Sequence, residues 1–151
     1  MKDKVSIARI ALLHPRIRKN AEEFITESEV QLGVTLRVVQ GLRTIEEQDA
    51  LYAKGRSKPG NKVTNAKGGQ SYHNYGLAID LVEIKDGKAN WDFDYELLLP
   101  FANKYGFKWG GLFKTIVDKP HFEKKYGYTW KRLLDKYKNG DFIKNTKYVN
   151  L

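Results

Sequence analysis

A chain of 151 residues that is 41% apolar and 13% aromatic suits one folded domain with a real buried core. The absence of cysteine excludes disulfides, thiolate metal sites and a cysteine nucleophile. A formal net charge of +9 favours a polyanionic partner, and no stretch reaches the ~20 apolar residues that a membrane-spanning helix needs.

Residues 5–13 are apolar but interrupted by Arg9, with no small-residue cleavage site, so they read as an amphipathic helix and not as a signal peptide. Pro15, then Ile17, Ala21, Phe24, Ile25, Ser28 and Leu32, have helical spacing, and Gly33 is a stop. Residues 35–40 (TLRVVQ) read as a strand. Thr44 and Glu47 form a capping box that opens a helix through about Ala53. Residues 55–70 are polar and glycine-rich, a loop long enough to be expected at a functional site. Residues 78–84 alternate as a strand, and Lys85-Asp86-Gly87-Lys88 turns it into a hairpin with residues 89–93. Asp94 caps a helix to about Tyr105 that Pro100 must kink or restart. Residues 107–109 and 120–124 are further strands, and residues 129–137 form a last helix ending at Asn139-Gly140. The pattern is α+β: one domain over residues 1–151, with helices flanking a small, mainly antiparallel sheet.

The chemistry is concentrated in Ser71-Tyr72-His73-Asn74-Tyr75-Gly76-Leu77-Ala78-Ile79-Asp80 and Asp118-Lys119-Pro120-His121-Phe122-Glu123. Two imidazoles and one carboxylate (His73, His121 and Asp80) are a standard donor set for catalytic zinc. His73 and Asp80 on one straight helix would lie about 10.5 Å apart along the axis, so the chain must fold back between them. Asn74-Tyr75-Gly76 supplies that reversal, leaving Asp80 on the strand beyond it, where Ala78 shares its face and leaves room for metal and substrate. Pro120 biases Lys119 toward extended backbone, so His121 and Glu123 share one strand face and Asp118 overhangs from across the kink. Asp118 is the first choice as general base. Glu123 competes for that role or supports His121. His14, remote from any acid cluster, reads as a capping or packing histidine.

The two segments resemble the signature of the LAS-type zinc peptidases, the group of lysostaphin, D-Ala-D-Ala metallopeptidases and sonic hedgehog. That pattern, Ser-x-His-x-x-Gly-x-Ala-x-Asp and then an acid shortly before a final His, is met by Ser71, His73, Gly76, Ala78, Asp80, Asp118 and His121. Within the group the chain is most similar to peptidase M15 L-alanoyl-D-glutamate endopeptidases of phage endolysins and bacterial autolysins. Supporting stretches are Leu12-Leu13-His14-Pro15, the run from Gln40 to Gln48, and Gly106-Phe107-x-Trp109-Gly110-Gly111, so the likeness covers roughly residues 10–125. It implies that His73, Asp80 and His121 bind one zinc per chain, that Asp118 is the base, that Arg43 stabilises the oxyanion and that Ser71 lies near the substrate. Plainer readings are a salt bridge for Arg43 and a turn or cap for Ser71. Gln48 is a candidate substrate contact, against the plainer reading of an exposed helix position.

The expected activity is zinc-dependent cleavage of the peptidoglycan stem peptide at L-Ala–D-Glu. A D,D-carboxypeptidase or dipeptidase of the same group, and a non-catalytic metal-containing binding module, are the alternatives. The expected protein is a monomer made in the cytoplasm that reaches the wall after release, with no nucleic-acid or membrane partner. Residues 119–151 carry nine Lys/Arg against three Asp/Glu. Lys131, Arg132, Lys136 and Lys138 on the outer side of the last helix are expected to attract an anionic wall polymer, or else form only a solvated basic face.

Overall fold

The computed structural model describes residue 1 and residues 3–151. Two helices, α1 (Lys4–Ile10) and α2 (Arg18–Leu32), lead into strand β1 (Leu36–Gln40) and helix α3 (Ile45–Ala53). After the 55–70 loop come a short 3-10 turn (Tyr72–Tyr75), the long strand β2 (Ala78–Lys85) and its hairpin partner β3 (Lys88–Asn90). Helix α4 (Leu99–Lys104), strands β4 (Lys108–Trp109) and β5 (His121–Glu123), and helix α5 (Trp130–Lys138) complete the chain. The strands run β1-β2-β5-β4, all antiparallel, with β3 added to the far end of β2.

Local chemistry explains most of the boundaries. Gly33 ends α2 in the left-handed conformation. Asp86 and Gly87 both take positive φ, as the tight hairpin between β2 and β3 requires. Pro100 begins α4 after a 3-10 turn over Tyr95–Leu98, so the expected helix is indeed split. One detail differs from the capping-box expectation. Thr44 Oγ1 accepts from the Glu47 N–H at 3.0 Å, but its hydroxyl donates to the Glu47 carboxylate at 3.1 Å, so Glu47 does not reach back to the backbone.

One face of the sheet packs on α2. Phe24 meets Phe122 with ring centroids 5.1 Å apart and Phe107 at 5.3 Å, and Ile79, Leu81 and Val38 are fully buried with them. On the other face the space expected around Ala78 is closed, because Ala78 and Val82 are also fully buried. Strand β1 lies at the sheet edge, where unpaired backbone groups are a hazard. Here α1 and α2 cover it: Leu36 N donates to Glu29 Oε2 and Val38 N to Ser6 Oγ, while Val38 O accepts from Arg9 Nη1.

The C-terminal segment belongs to the same core. In α5 Leu133 is buried, and Leu134 packs against Gly69 at the end of the 55–70 loop. Beyond it Val149 is buried, and its carbonyl accepts from His14 Nε2 at 2.8 Å while Arg16 N donates to His14 Nδ1, so His14 is a packing histidine with both nitrogens used. On the outer side Lys131, Arg132 and Lys138 are exposed as expected, but Lys136 pairs with Asp141 at 2.8 Å.

Asp3 ties α1 to β1. It accepts from Ser6 N as the helix cap and pairs with Arg37 at 2.8 Å, and these bonds lower its carboxyl to about 2 despite partial burial. A depressed folded-state pKa contributes stability above the unfolded value of about 3.9, and that contribution is lost as pH falls through about 2. Asp3→Asn keeps a cap acceptor and removes the charge. It is expected to lower Tm by about 2–4 °C at pH 7, with the gap closing between pH 4 and pH 2 in thermal scans.

Candidate metal centre

The β2–β5 register makes Asp80 the direct partner of His121, and Ala78 the partner of Glu123. Directly opposed residues in an antiparallel pair project from the same face, so the carboxylate and the imidazole meet: His121 Nδ1 lies 3.1 Å from Asp80 Oδ1. His73 arrives from the 3-10 turn before β2. Ser71 caps that turn through Oγ, which accepts from His73 N, and the Asn74 side chain accepts in return from Ser71 N. Gly76 then reverses the chain at φ 68°, where a Cβ would stand 2.4 Å from His14 N, so no other residue fits. The reversal sets His73 Nε2 3.3 Å from Asp80 Oδ2.

Each imidazole is fixed from behind. His73 Nδ1 donates to the Gly41 carbonyl at 2.8 Å, and His121 Nε2 donates to Glu123 at 2.9 Å. These bonds leave Nε2 of His73 and Nδ1 of His121 as the inward donors. Glu123 is buried and stands on the far side of the His121 ring, so the geometry gives it the supporting position and not that of a base. Asp118 is on the inner side, half-exposed, with Oδ2 4.0 Å from His121 Nδ1.

His73, Asp80 and His121 are the group of metal-capable residues found among the described residues, with donor atoms all within 4.8 Å of one another. Tetrahedral zinc with bonds of about 2.0–2.1 Å separates its donors by roughly 3.3 Å, which the two His–Asp80 distances of 3.1 and 3.3 Å match. The charge balance agrees. Burial opposes a charged His121, yet hydrogen bonds to Asp80 and Glu123 push it up to about 9. Burial would likewise raise Asp80, but the hydrogen bonds from His121 and His73 hold its carboxyl well below the usual range. Such negative excess around two neutralisable imidazoles is what a divalent cation balances, releasing a proton as it binds.

The donors open into a cleft of about 410 Å³ that Arg43, Ser71 and Asp118 also line, with Val63 and Thr64 of the 55–70 loop as a wall. That loop therefore borders the site, as its length suggests. Burial lowers the Arg43 pKa against the pull of Asp80, Glu47 and Asp118, and its buried Nε has no partner among the described residues. Burial and the nearby Asp80 charge raise Asp118 against the pull of His121, His73 and Arg43.

Gln48 departs from both readings of the sequence. It is fully buried and does not line the cleft. Its Oε1 accepts from Arg43 Nη1 at 2.9 Å, and its Nε2 donates to the Ala66 carbonyl at 2.9 Å. Asn74, also missed by the sequence reading, donates to the Arg43 carbonyl and accepts from Gly69 N. The two amides join α3, the loop and the turn that carries His73.

Residues 64–124 match a peptidase M15 family model described as D-alanyl-D-alanine carboxypeptidase. Over 122 residues the chain is 41% identical to the peptidoglycan L-alanyl-D-glutamate endopeptidase CwlK of Bacillus subtilis (strain 168), spanning 74% of this chain and 72% of that one. The chain belongs to the peptidase M15 family. Zinc is the metal of this family, and the donor set fits it. The L-alanyl-D-glutamate peptidase of Listeria phage A118 is 28% identical over 128 residues, covering 82% of this chain and 42% of the phage protein. The Serratia marcescens L-Ala D-Glu endopeptidase ChiX superposes with a TM-score of 0.60 at 25% identity, over 82% of this chain and 88% of that one. The D,D-pentapeptidase VanY, solved in complex with Zn(II), shares the fold at a TM-score of 0.54 and 21% identity, over 74% of this chain and 72% of that one. The expected α+β, LAS-type architecture is the one these peptidase M15 relatives display.

Two outcomes follow from the supports. Glu123→Gln should weaken zinc binding about 10–100-fold with the fold intact, measured by competition with a chelator. Gln48→Leu strands Arg43 Nη1 and the Ala66 carbonyl, and should cost about 1–3 kcal/mol or more in denaturant unfolding.

Proposed function

We propose that the protein is a zinc-dependent peptidoglycan hydrolase that cleaves the stem peptide between L-alanine and D-glutamate. The observation that carries this reading is the His73–Asp80–His121 donor set with Asp118 and Arg43 facing the same cleft. The 41% identity to a peptidoglycan L-alanyl-D-glutamate endopeptidase supports the choice of bond over the D,D-peptidase alternative.

In this reading His73, Asp80 and His121 hold the metal. When bound, zinc supplies a Lewis acid for the scissile carbonyl and lowers the pKa of a water toward about 7. Asp118, on the inner side of His121, takes a proton from the attacking water and hands it to the leaving amine. Its raised pKa runs in the direction a proton carrier near neutrality requires. Arg43, held by Gln48, offers its guanidinium where negative charge develops on the carbonyl oxygen. Ser71 keeps His73 in place through its cap and also lines the cleft, so a substrate contact is compatible with its structural bond.

The test is mass spectrometry of purified muropeptides after digestion. A new D-glutamyl amine that a chelator abolishes supports the reading, and a new D-alanyl amine instead moves the assignment to the D,D-peptidases. Asp118→Asn should keep zinc and fold while losing about 10²–10⁴-fold in turnover. Arg43→Ala should also spare the metal, with its loss mainly in kcat.

The basic face of α5 supports a second element of the proposal, electrostatic attraction to an anionic wall. Lys131, Arg132 and Lys138 stand exposed on the helix while Leu133 is buried. The Debye length falls from about 10 Å at 0.1 M salt to about 3 Å at 1 M, so binding to whole walls should fall steeply over that range. Cleavage of a small soluble muropeptide should change little. Reversing Lys131, Arg132 and Lys138 together should reproduce the high-salt behaviour in a wall-sedimentation assay, and unchanged binding would reduce the face to a solvated surface.

A further inference from the structure

Beside the metal centre lies a second concavity that the mechanism does not use. It measures about 480 Å³ and is lined by Lys108, Leu112, Phe113, Lys114, Thr115 and Ile116. Leu112 and Ile116 are 59% and 60% exposed, unusual for large aliphatic side chains that stand together with nothing covering them. The concavity shares no lining residue with the metal cleft but adjoins it through Phe113. The Phe113 ring lies 5.8 Å from the His121 ring on one side, and Lys108 Nζ stands 5.8 Å over the Phe113 ring. Among the described residues, neither Lys108 nor Lys114 forms an ion pair.

An aliphatic floor with two unpaired ammonium groups at its rim suits one kind of occupant: a methylene chain that ends in a carboxylate. The floor removes the methylenes from water, and the ammonium groups meet the charge. The same rim repels a methylene chain that ends in an amine alone. In a peptidoglycan stem the residue after D-glutamate is a diamino acid, and its side chain ends either in an amino-carboxylate, as in diaminopimelate, or in a bare amine, as in lysine. The intervening glutamate is joined through its γ-carboxyl, so it spans roughly 6 Å, against about 3.5 Å for an α-linked residue. A scissile L-Ala–D-Glu bond at the metal centre thus leaves the third side chain roughly 6 Å farther on, a reach comparable with the 5.8 Å from the His121 ring to Phe113 at the edge of this concavity.

We propose that Lys108, Lys114 and the Leu112–Phe113–Ile116 surface form a subsite for the third stem residue that selects a carboxylate-ended side chain over an amine-ended one. The inference rests on the functional reading above, and the experiment separates the two. Three soluble tripeptide muropeptides are compared, with diaminopimelate, its side-chain amide or lysine at the third position, and kcat/KM is read from the new D-glutamyl amine. The amide retains the size of diaminopimelate while losing its negative charge.

The zinc-loaded protein should prefer diaminopimelate by about tenfold over both the amide and lysine, the effect of one charge-assisted hydrogen bond. Lys108→Gln with Lys114→Gln, both at exposed positions where substitution leaves the fold intact, should bring the three substrates within about twofold. Lys108→Glu with Lys114→Glu should reverse the order. Equal rates in the parent protein, or an unchanged ratio in the charge-reversed variant, would overturn the subsite and leave the peptidase reading standing. Failure to cut the L-Ala–D-Glu bond in any of the three would overturn that reading and the subsite with it.

Discussion

The pairing of Asp80 with His121 across β2 and β5 is the constraint on which the rest of the site depends. Side chains alternate along a strand, so a slip of one residue would turn His121 into the core and Phe122 into the cleft. The register is therefore held by the opposite face, where Phe122 and Ile79 are fully buried and Phe24 packs edge-on against Phe122. Apolar packing on one side of the sheet positions the metal donors on the other. The 110–118 loop is matched to the same geometry. At Gly110 a Cβ would come within 2.3 Å of the Asp118 carbonyl, so glycine permits the approach that sets Asp118 beside His121.

Holding a cluster of ionisable groups of both signs in a half-buried site needs partners on every side. The Gly41 carbonyl, Glu123, Gln48 and Asn74 each fix one atom of a cleft residue and are themselves largely removed from solvent. Buried amides that make only part of their hydrogen bonds are costly, which explains why Gln48 contacts both Arg43 and the Ala66 carbonyl. The arrangement leaves few open degrees of freedom around the donors. It leaves Val63 on the cleft wall, and Leu112, Ile116 and Val117 outside the cleft, exposed.

Much of this could be read from the residues. Helical spacing after Pro15, the Asp86-Gly87 turn and the Gly76 reversal are local signals, and local signals place elements well. The histidine and aspartate spacings brought out the donor set because a separation of seven positions between two donors leaves few backbone paths. Distant contacts were not legible. Gln48 has the position of a surface residue on a short helix, and only the approach of the 64–66 segment and Arg43 buries it. Ala78 was read as open space because alternation along β2 does not reveal that the second face is also covered. Lys136 looked like its neighbours on α5 until the chain beyond Gly140 returned with Asp141.

The segment after residue 125, about which the family likeness says least, has two separable faces. Leu133 and Leu134 face inward, and Leu134 rests on Gly69, whose carbonyl in turn accepts from the Tyr75 hydroxyl at 2.6 Å within the turn that carries His73. Tyr72 of that turn also donates to the Tyr128 carbonyl just ahead of α5. The helix is therefore a buttress of the metal centre, joined to it by the packing of Leu134 on Gly69 and, just ahead of its first turn, by the Tyr72–Tyr128 hydrogen bond. Of its exposed cations, Arg132 stacks on the Tyr128 ring at 4.7 Å, whereas Lys131 and Lys138 make no hydrogen bond or ion pair to that support among the described residues. Charge at Lys131 and Lys138 can thus be altered without touching the inner face, which makes attraction to a wall and integrity of the cleft separable properties of one short helix.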